Sequence, residues 1–363
     1  MKNDFLEDKN KIKEIMKRKE EHIQIALAKD IQSKNTTLFE CIKLFNSATP
    51  EINFDEVDTE TSFLGHKFSA PIIVGAMTGG AEIAKRINKN IAIAVEELGL
   101  GMVVGSQRAA LYSKGLEDTF TVARKYAPNA FIGANIGAPQ LSKNGIGAND
   151  VKKLIKMLDA DSLYIHLNPL QELVQPEGEP NFKGVLSKIK EISNFVNVPV
   201  IAKEVGFGID EIAAKKLENS GVKAIEVAGT GGTSYAAIES YRARIKKDEA
   251  RANIGNLFEN WGIPTAASLF AAKNNVKIPI IASGGIRNGL ELAKAITVGA
   301  SMSAVAFPVL KHAMRSSEAV SDYLKNLIYE LKAAMFLTGS RSVIELSKKR
   351  YVITGELKDW IRE

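Results

Sequence analysis

Short apolar segments recur along the chain between residues 71 and 305, and stretches with the apolar spacing of helices separate them. Short runs of β-branched and apolar residues without alternation are typical of strands that are buried on both faces of a parallel sheet. The intervening stretches 151–158 and 209–220 predict amphipathic helices. The pattern as a whole predicts eight strands, at residues 71–74, 101–104, 131–134, 162–165, 198–201, 223–227, 278–281 and 302–305.

Eight strands that alternate with helices predict an α/β fold of the (β/α)8 TIM-barrel class, with a doubly wound open sheet as the main alternative. We favour the barrel because polar and glycine-rich residues follow nearly every predicted strand, as in loops that build one site at the C-terminal rim. Residues 1–60 are then an N-terminal helical extension, 61–317 the barrel and 318–363 C-terminal helices that pack on it. Residues 229–275 are too many for a simple loop, and 238–247 have helical spacing, so we expect a structured insertion there.

The composition argues against a secreted or membrane-bound protein. Cys41 is the one cysteine in 363 residues, so a disulfide framework is excluded and a reducing compartment is expected. The N-terminal segment is charged and lacks the apolar core of a signal peptide, and no apolar run approaches the roughly 20 residues of a membrane helix. We therefore expect a soluble cytoplasmic protein with no membrane partner.

The net charge of +6 does not predict a nucleic-acid partner. Lysine and arginine (48 together) are mixed with aspartate and glutamate (42 together) along the whole chain, and aromatic residues make up only 7%. A nucleic-acid-binding protein more often concentrates its basic residues in a stripe with aromatics between them. The excess positive charge is better suited to attracting an anionic small molecule.

A phosphate site is predicted after the last two strands. Gly284 and Gly285, with Arg287 close behind, follow the seventh strand, and Ala306-Phe307 follows the eighth. Adjacent glycines let backbone N–H groups approach an anion, and this pair of loops often binds phosphate in barrels. A tight strand-to-helix turn would use the same two glycines, but the position favours phosphate.

Two further glycine-rich turns, at 76–80 and 228–233, follow the first and sixth strands. Three such turns at one rim exceed what turn formation requires, and they suggest a large, flat cofactor that carries phosphate. Thr78 and Thr233 lie in these turns, where each could hydrogen-bond to that cofactor.

Lys203 ends the fifth predicted strand and is expected to project into the barrel mouth. Buried lysines are rare without a partner, so one interpretation is a structural salt bridge with Glu204 or Glu226. We favour a functional lysine, which stabilises negative charge on a cofactor or forms a Schiff base.

The fourth predicted strand runs into a polar cluster. His166, Asn168, Gln171 and Glu172 crowd its end. Oxygen ligands of this kind suit Mg²⁺, which usually takes one or two carboxylates and leaves phosphate oxygens as further ligands.

Basic residues suited to a diphosphate occur in two places. Ser106-Gln107-Arg108 follows the second strand, and Arg18-Lys19 lies in the N-terminal segment. An arginine fork with a lysine matches diphosphate chemistry. For Arg18 and Lys19, however, spacing alone favours a solvated helix face.

Taken together, these motifs resemble those of the FMN-dependent, type 2 isopentenyl diphosphate isomerases. The resemblance covers nearly the whole chain, and other FMN barrels share its phosphate loops but not its remaining motifs. The segments that carry it are Arg18-Lys19-Glu20-Glu21-His22-Ile23, Gly105-Ser106-Gln107-Arg108, His166-Leu167-Asn168-Pro169 with Gln171-Glu172, Gln175-Pro176-Glu177-Gly178, Trp261-Gly262-Ile263-Pro264-Thr265 and Leu331-Lys332-Ala333-Ala334-Met335.

The resemblance implies a (β/α)8 barrel that holds FMN. Ala228 stands where the family often has a serine, which removes one neutral hydrogen bond to FMN with a net worth of about 0.5–1.5 kcal/mol. The implied FMN contacts are Ala76, Met77, Thr78, Ser106, Asn135, Lys203 and Thr233, with the phosphate over Gly284, Gly285 and Arg287 and the backbone of Ala306 and Phe307.

The resemblance also implies a diphosphate substrate and a metal ion. Glu172 would hold Mg²⁺, and the family's homotetramers or larger homo-oligomers are expected here. The implied substrate contacts are Arg18, Lys19, Ser106, Gln107, Arg108, His166, Asn168 and Gln171.

The implied activity is 1,3-allylic isomerisation of isopentenyl diphosphate to dimethylallyl diphosphate, with reduced FMN as acid and base and NAD(P)H as its reductant. Gln171, Lys203 and His166 would serve the reacting centre, Gln171 by orienting the substrate and Lys203 by favouring the anionic reduced flavin.

Three other functions stay open on the sequence. An FMN oxidoreductase of the 2-hydroxy-acid or dihydroorotate type would need a side-chain base, for which His166 is the candidate. A lyase would use Lys203 as a Schiff-base lysine. A non-catalytic phosphate-binding scaffold fits least, because many polar groups converge on one rim.

Overall fold

The chain forms a strand at each of the eight predicted segments. In a computed structural model, which describes residues 2–142 and 145–361, four further three-residue strands occur outside those segments. The strands are β1 (Ile42–Leu44), β2 (Thr61–Phe63), β3 (His66–Phe68), β4 (Ile72–Val74), β5 (Gly101–Val103), β6 (Phe131–Gly137), β7 (Ser162–Leu167), β8 (Val200–Glu204), β9 (Ala224–Glu226), β10 (Ile280–Ala282), β11 (Met302–Val305) and β12 (Tyr351–Ile353).

Strands β4 to β11 close into a parallel barrel in sequence order. Each pairs with the next, and β11 pairs with β4 through the partners Ser303 and Ile72. A doubly wound sheet would leave two open edges, so closure excludes that alternative. The predicted (β/α)8 TIM barrel is confirmed.

Helices surround the barrel and extend beyond it. Residues 229–275 contain three of them, so the expected structured insertion is present. The helices are α1 (Lys2–Ala28), α2 (Glu82–Leu98), α3 (Arg108–Tyr112), α4 (Asp118–Tyr126), α5 (Pro139–Ser142), α6 (Ala148–Leu158), α7 (Pro169–Val174), α8 (Val185–Phe195), α9 (Glu211–Asn219), α10 (Tyr235–Ile245), α11 (Glu249–Leu257), α12 (Thr265–Asn275), α13 (Gly289–Val298), α14 (Phe307–Ala313), α15 (Ser317–Leu337), α16 (Val343–Leu346) and α17 (Leu357–Trp360).

The barrel interior is apolar at one end and polar at the other. Phe63 and Phe68 of the β2–β3 hairpin pack on Phe131 at the start of β6 and close the N-terminal end. Side chains alternate between the two faces of a strand, so the inward residue two positions after buried Tyr164 is His166, and two positions after Ile201 it is Lys203. The sequence thus places its polar inward residues at the C-terminal end.

The two chain ends pack on the barrel and on each other. Strand β1 pairs antiparallel with β12, with Ile42 opposite Ile353, and α15 packs on α2, α13 and α14. The limits 1–60, 61–317 and 318–363 for the three parts stay a prediction. Across the two described ranges, no helix is both long and apolar enough to cross a bilayer.

Candidate active site

A cavity opens at the C-terminal end of the barrel, beneath α1. All the predicted site residues except Gln107 line it. They come from the ends of all eight barrel strands or the loops that follow them, and from α1, α3, α7 and α14. The expectation that separate motifs converge on one rim agrees with this arrangement.

Two glycine turns interlock at the predicted phosphate site. Gly284 and Gly285 have φ angles of 92° and 78°, a left-handed conformation that favours glycine. A Cβ on either residue would collide with the backbone of the turn after β9, at Gly229 and Gly231. The turns therefore need glycine for close approach as well as for φ, and Arg287 lines the cavity just beyond them.

Buried hydroxyls in this region lack partners. The Oγ1 atoms of Thr78 and Thr233 are enclosed, yet neither has a hydrogen-bond partner among the described residues. Such groups cost about 1–3 kcal/mol each when left unsatisfied, so their presence on the cavity wall fits a polar ligand. We call the interlocked turns at residues 284–285 and 229–231 the glycine cradle. The unpartnered threonine hydroxyls, the glycine cradle and Arg287 together suit a phosphate-bearing cofactor such as FMN. Ala228 also lines the cavity and supplies no hydroxyl.

Lys203 makes the ion pair that was one of the two interpretations of its position. Its Nζ lies 2.8 Å from Oε1 of Glu226 and donates to the Glu204 carbonyl oxygen at 2.8 Å. Ser283 Oγ donates to the same Glu226 oxygen at 2.8 Å. Lys203 still lines the cavity, so the pair fixes its direction without removing it from the site.

His166 is a neutral side chain in this site. Its Nδ1 lies 2.7 Å from Oδ1 of Asn135. Burial, together with the charges of Lys19 and Lys203, lowers the pKa of His166 to about 3. An uncharged imidazole can hydrogen-bond to a ligand at neutral pH but adds no cation to the site.

Gln107 lies behind the cavity wall, unlike the expectation that it contacts substrate. Its side chain is fully buried, with Oε1 accepting from the Asn135 backbone N–H at 2.9 Å and Nε2 donating to the Leu154 carbonyl at 3.3 Å. Both ends of the amide are therefore occupied. Gln107 supports Asn135, which in turn holds His166.

Helix α7 carries the carboxamide and carboxylate cluster. Pro169 at its start fixes a helical φ, and the next turn brings Gln171 and Glu172 to the cavity. Asn168 Nδ2 donates to Gln171 Oε1 at 3.2 Å and to Glu172 Oε1 at 3.0 Å. The Glu179 backbone N–H donates to the other Glu172 oxygen at 2.7 Å. These hydrogen bonds fix the side chains of the cluster relative to one another.

The predicted metal site rests on one carboxylate. Within residues 2–142 and 145–361, no group of three or more His, Cys, Asp or Glu side chains is arranged to hold a metal ion. Glu172 lines the cavity, and Mg²⁺ often binds through one carboxylate with substrate phosphate and water completing its shell. Glu172 therefore suits an ion that arrives with a phosphate ligand.

Helix α1 covers the cavity and turns Arg18 and Lys19 into it. The solvated-face interpretation applies to Lys17, whose side chain is 74% exposed, whereas Arg18 and Lys19 line the cavity. Burial and the neighbouring Arg18 lower the pKa of Lys19 to about 7. Arg108 lies in the same region, paired with Glu179 at 3.1 Å. The Nε atoms of Arg18 and Arg108 lack partners among the described residues.

A buried ionic network that sequence reasoning missed holds α1 in place. Arg242, 1% exposed, pairs with Glu21 of α1 at 2.9 Å, with Glu177 at 3.0 Å and with Glu239 at 2.7 Å. Glu239 also bonds His22 Nε2 at 2.8 Å. The available signal was the pair of charges three residues apart on an otherwise apolar helix face.

Glu239 connects this network to the cavity. Gln171 Nε2 donates to Glu239 Oε1 at 3.2 Å. Burial alone would raise the pKa of Glu239, but His22 and Arg242 outweigh it and lower that pKa to about 2. Glu239 thus stays ionised and fixes the amide of Gln171.

The fold and the cavity define a TIM-barrel enzyme whose cavity is lined by the glycine turns with Arg287 and, under α1, by the cationic side chains of Arg18, Lys19 and Arg108. The family model for FMN-dependent dehydrogenases matches residues 164–353. The chain belongs to the isopentenyl-diphosphate delta-isomerase family, in its FMN-dependent form. It is 47% identical over 348 residues to the isopentenyl-diphosphate delta-isomerase of Methanococcus maripaludis, covering 94% of this chain and 97% of that relative.

A second relative and two solved structures also match this chain over most of its length. The isopentenyl-diphosphate delta-isomerase of Methanocaldococcus jannaschii is 46% identical over 359 residues, 98% of this chain and 99% of its own. Among solved structures, a Pediococcus acidilactici lactate oxidase is similar with a TM-score of 0.64 and 16% identity, over 95% of this chain and 94% of that one. A mandelate oxidase structure gives 0.59 and 17%, over 88% of each. At this identity the oxidases support the fold alone.

Proposed function

We propose that this protein interconverts isopentenyl diphosphate and dimethylallyl diphosphate with FMN bound in the barrel mouth. The observation that carries the proposal is the pair of anion sites in one cavity, the glycine cradle with Arg287 and the group Arg18, Lys19 and Arg108. Family membership favours this activity over the 2-hydroxy-acid or dihydroorotate oxidoreductase, the Schiff-base lyase and the scaffold.

The residues of the cavity divide the binding work. Gly284, Gly285 and Arg287 would hold the FMN phosphate, and Thr78, Asn135, Lys203 and Thr233 its ring system. When bound and reduced, FMN supplies a group that can give and take the protons of a 1,3-shift. Lys203, fixed by Glu226, would favour negative charge on the ring. The remaining proposed FMN contacts are Ala76, Met77, Ser106, Ala306 and Phe307, all on the cavity wall.

The diphosphate would anchor a substrate whose hydrocarbon end offers no polar handle. Arg18, Lys19 and Arg108 would bind it, with Ser106, His166 and Asn168 nearby. Binding energy from this remote group positions the reacting carbons. Gln171, held by Asn168 and Glu239, would orient the alkene rather than transfer its proton. Helix α1 over the site would exclude water.

Four further features belong to the proposal. Mg²⁺ would bind at Glu172 with the diphosphate, and NAD(P)H would reduce the flavin. The chain would act as a homotetramer or larger homo-oligomer, as the resemblance of its motifs suggests. A cytoplasmic location is supported by the lone, buried Cys41, since structural disulfides are absent from a reducing compartment.

The proposal is tested on the purified chain. We expect it to bind FMN, to lose its yellow colour when NAD(P)H is added without oxygen, and then to convert either C5 diphosphate into the other, as followed by proton NMR. Failure to bind FMN at saturating supply would contradict the proposal. So would oxidation of a 2-hydroxy acid with stoichiometric use of an electron acceptor.

A further inference from the structure

The segment that follows α1 crosses the outside of the interlocked glycine turns. We call residues 31–37 the strap. Its backbone joins the turn after β9 by two hydrogen bonds of 2.8 Å, from Ser33 N–H to the Gly232 carbonyl and from Ser234 N–H to the Ile31 carbonyl. The strap therefore forms one short antiparallel bridge with that turn, Gln32 opposite Thr233.

The far end of the strap is equally close to the cradle. Thr37 accepts a backbone hydrogen bond from Ala266 at 2.9 Å. A Cβ added to Gly231 or Gly285 would collide with Thr37. The glycines of the phosphate cradle thus make room for the N-terminal segment as well as for each other.

Gln32 connects the strap to the arginine of the cradle. Its Oε1 accepts a hydrogen bond from Nη2 of Arg287. Arg287 reaches the cavity wall from the loop before α13, and its desolvated guanidinium lies over the Phe307 ring at 5.9 Å. A long, flexible arginine needs such an acceptor to keep one direction.

The other groups around Arg287 do not replace this acceptor. Glu291 accepts from the Arg287 backbone N–H at 2.8 Å. Its carboxylate favours the charged form of Arg287 through space but does not accept a hydrogen bond from the guanidinium. The Tyr323 hydroxyl is near enough for its pKa and that of Arg287 to affect each other, but it bonds no partner among the described residues. Nε2 of Gln32 is likewise enclosed and unpartnered, so its amide orientation is set by Arg287 alone.

We propose that Gln32 is a positioning residue of the phosphate site, which directs Arg287 at the cofactor phosphate and makes the N-terminal segment part of that site. The inference rests on the proposed binding of FMN. Its consequence is that one continuous stretch of chain serves both anions, with Arg18 and Lys19 on α1 at one and Gln32 on the strap at the other.

The test compares FMN with riboflavin, which has the same ring system and no phosphate. Dissociation constants are measured from quenching of flavin fluorescence, without any assay of activity. For Gln32→Met we expect the FMN constant to rise about tenfold, the scale of one lost hydrogen bond to a charged group, with the riboflavin constant unchanged. Gln32→Glu keeps an acceptor but gives Arg287 a competing carboxylate, so FMN binding should weaken there too, again without effect on riboflavin.

Lys34→Met is the matched control. It removes an exposed ion pair of the same strap, Lys34 Nζ to Glu259 at 3.0 Å, and leaves Arg287 untouched. FMN binding by this variant should equal that of the unaltered chain. The positioning role is wrong if both Gln32 variants bind FMN as tightly as the unaltered chain does. It is also wrong if their affinity for riboflavin falls by the same factor as their affinity for FMN. In either case the proposed function stands. An unaltered chain that binds neither flavin overturns both.

Discussion

At the scale of single residues, the cavity holds charges that are partly desolvated and fixed by neighbours. Lys203 is paired with Glu226, and Arg108 with Glu179. Arg18 and Lys19 are two cations side by side, for which burial lowers both pKa values. An anion that entered between them would relieve the repulsion between the two cations, so ligand binding and proton binding are linked at Lys19.

We predict that binding of a diphosphate takes up a proton at Lys19. In the free protein the pKa of Lys19 is about 7, and the bound anion favours the charged form and raises it. Affinity should therefore fall as the pH rises from that value towards the pKa of the complex. Calorimetry in two buffers with different ionisation enthalpies, using inorganic pyrophosphate, measures the uptake. Lys19→Met should abolish it, whereas exposed Lys17→Met should keep it.

Glu172 gives a second prediction at this scale. Glu172→Gln keeps the size of the side chain but removes the charge that Mg²⁺ requires. Its single amide oxygen can accept only one of the two hydrogen bonds that Asn168 and Glu179 donate to Glu172. We expect the Mg²⁺ concentration for half-maximal rate to rise about tenfold or more, the range found when a metal's supporting groups are lost. Titration of the rate with Mg²⁺ at saturating FMN measures this. A curve that coincides with that of the unaltered chain would remove Glu172 from the metal site.

At the scale of secondary-structure elements, α1 depends on the barrel for its position. The helix has apolar Ile15 and Ile23 buried. Its polar anchors are Glu21, paired with Arg242, and His22, hydrogen-bonded to Glu239. Arg242 also joins α10 to the loop after α7 through Glu177. Three elements that bear site residues thus meet at one buried guanidinium.

We predict that Arg242→Met loosens α1 and destabilises the fold. Three carboxylates would lose their shared cation, and breaking a buried pair from one side costs about 3–5 kcal/mol. The free energy of unfolding, measured by denaturant titration, should fall by that order, and KM for the diphosphate should rise more than the dissociation constant of FMN.

Arg244→Met on the same helix is the control, because Arg244 is exposed. It should change neither quantity by more than a small amount. Equal stability of the two variants would contradict the network's role.

At the scale of the whole molecule, the sequence pattern predicted the strands of the barrel but not the short strand pairs outside it, β1–β12 and β2–β3. Each barrel strand is a local apolar run with a glycine or polar residue after it, which sequence pattern can detect. Strands β1 and β12 are each three residues long and lie about three hundred positions apart in the sequence. No local sequence pattern therefore marks their pairing.

The site residues also divide into those that a local sequence pattern predicts and those that depend on contacts between distant segments. Residues at the ends of strands or on the loops directly after them, such as Thr78, His166 and Gly285, were predicted because topology alone brings strand ends together. Gln32, Glu239 and Arg242 were missed because, apart from the pair that Glu239 and Arg242 form with each other, their partners come from distant elements. Gln107 was expected to contact substrate, but its side chain lies behind the cavity wall and accepts a hydrogen bond from the Asn135 backbone N–H.

The central claim is that one cavity holds both a flavin and a C5 diphosphate and shifts a double bond without net oxidation. The most direct test counts product molecules formed per NAD(P)H oxidised, in an anaerobic reaction that starts from oxidised holoprotein and isopentenyl diphosphate. The account predicts many molecules of dimethylallyl diphosphate for each NAD(P)H, because the reductant is needed only to prime the flavin. One equivalent of NAD(P)H consumed per product, or no product from fully reduced protein, would contradict it.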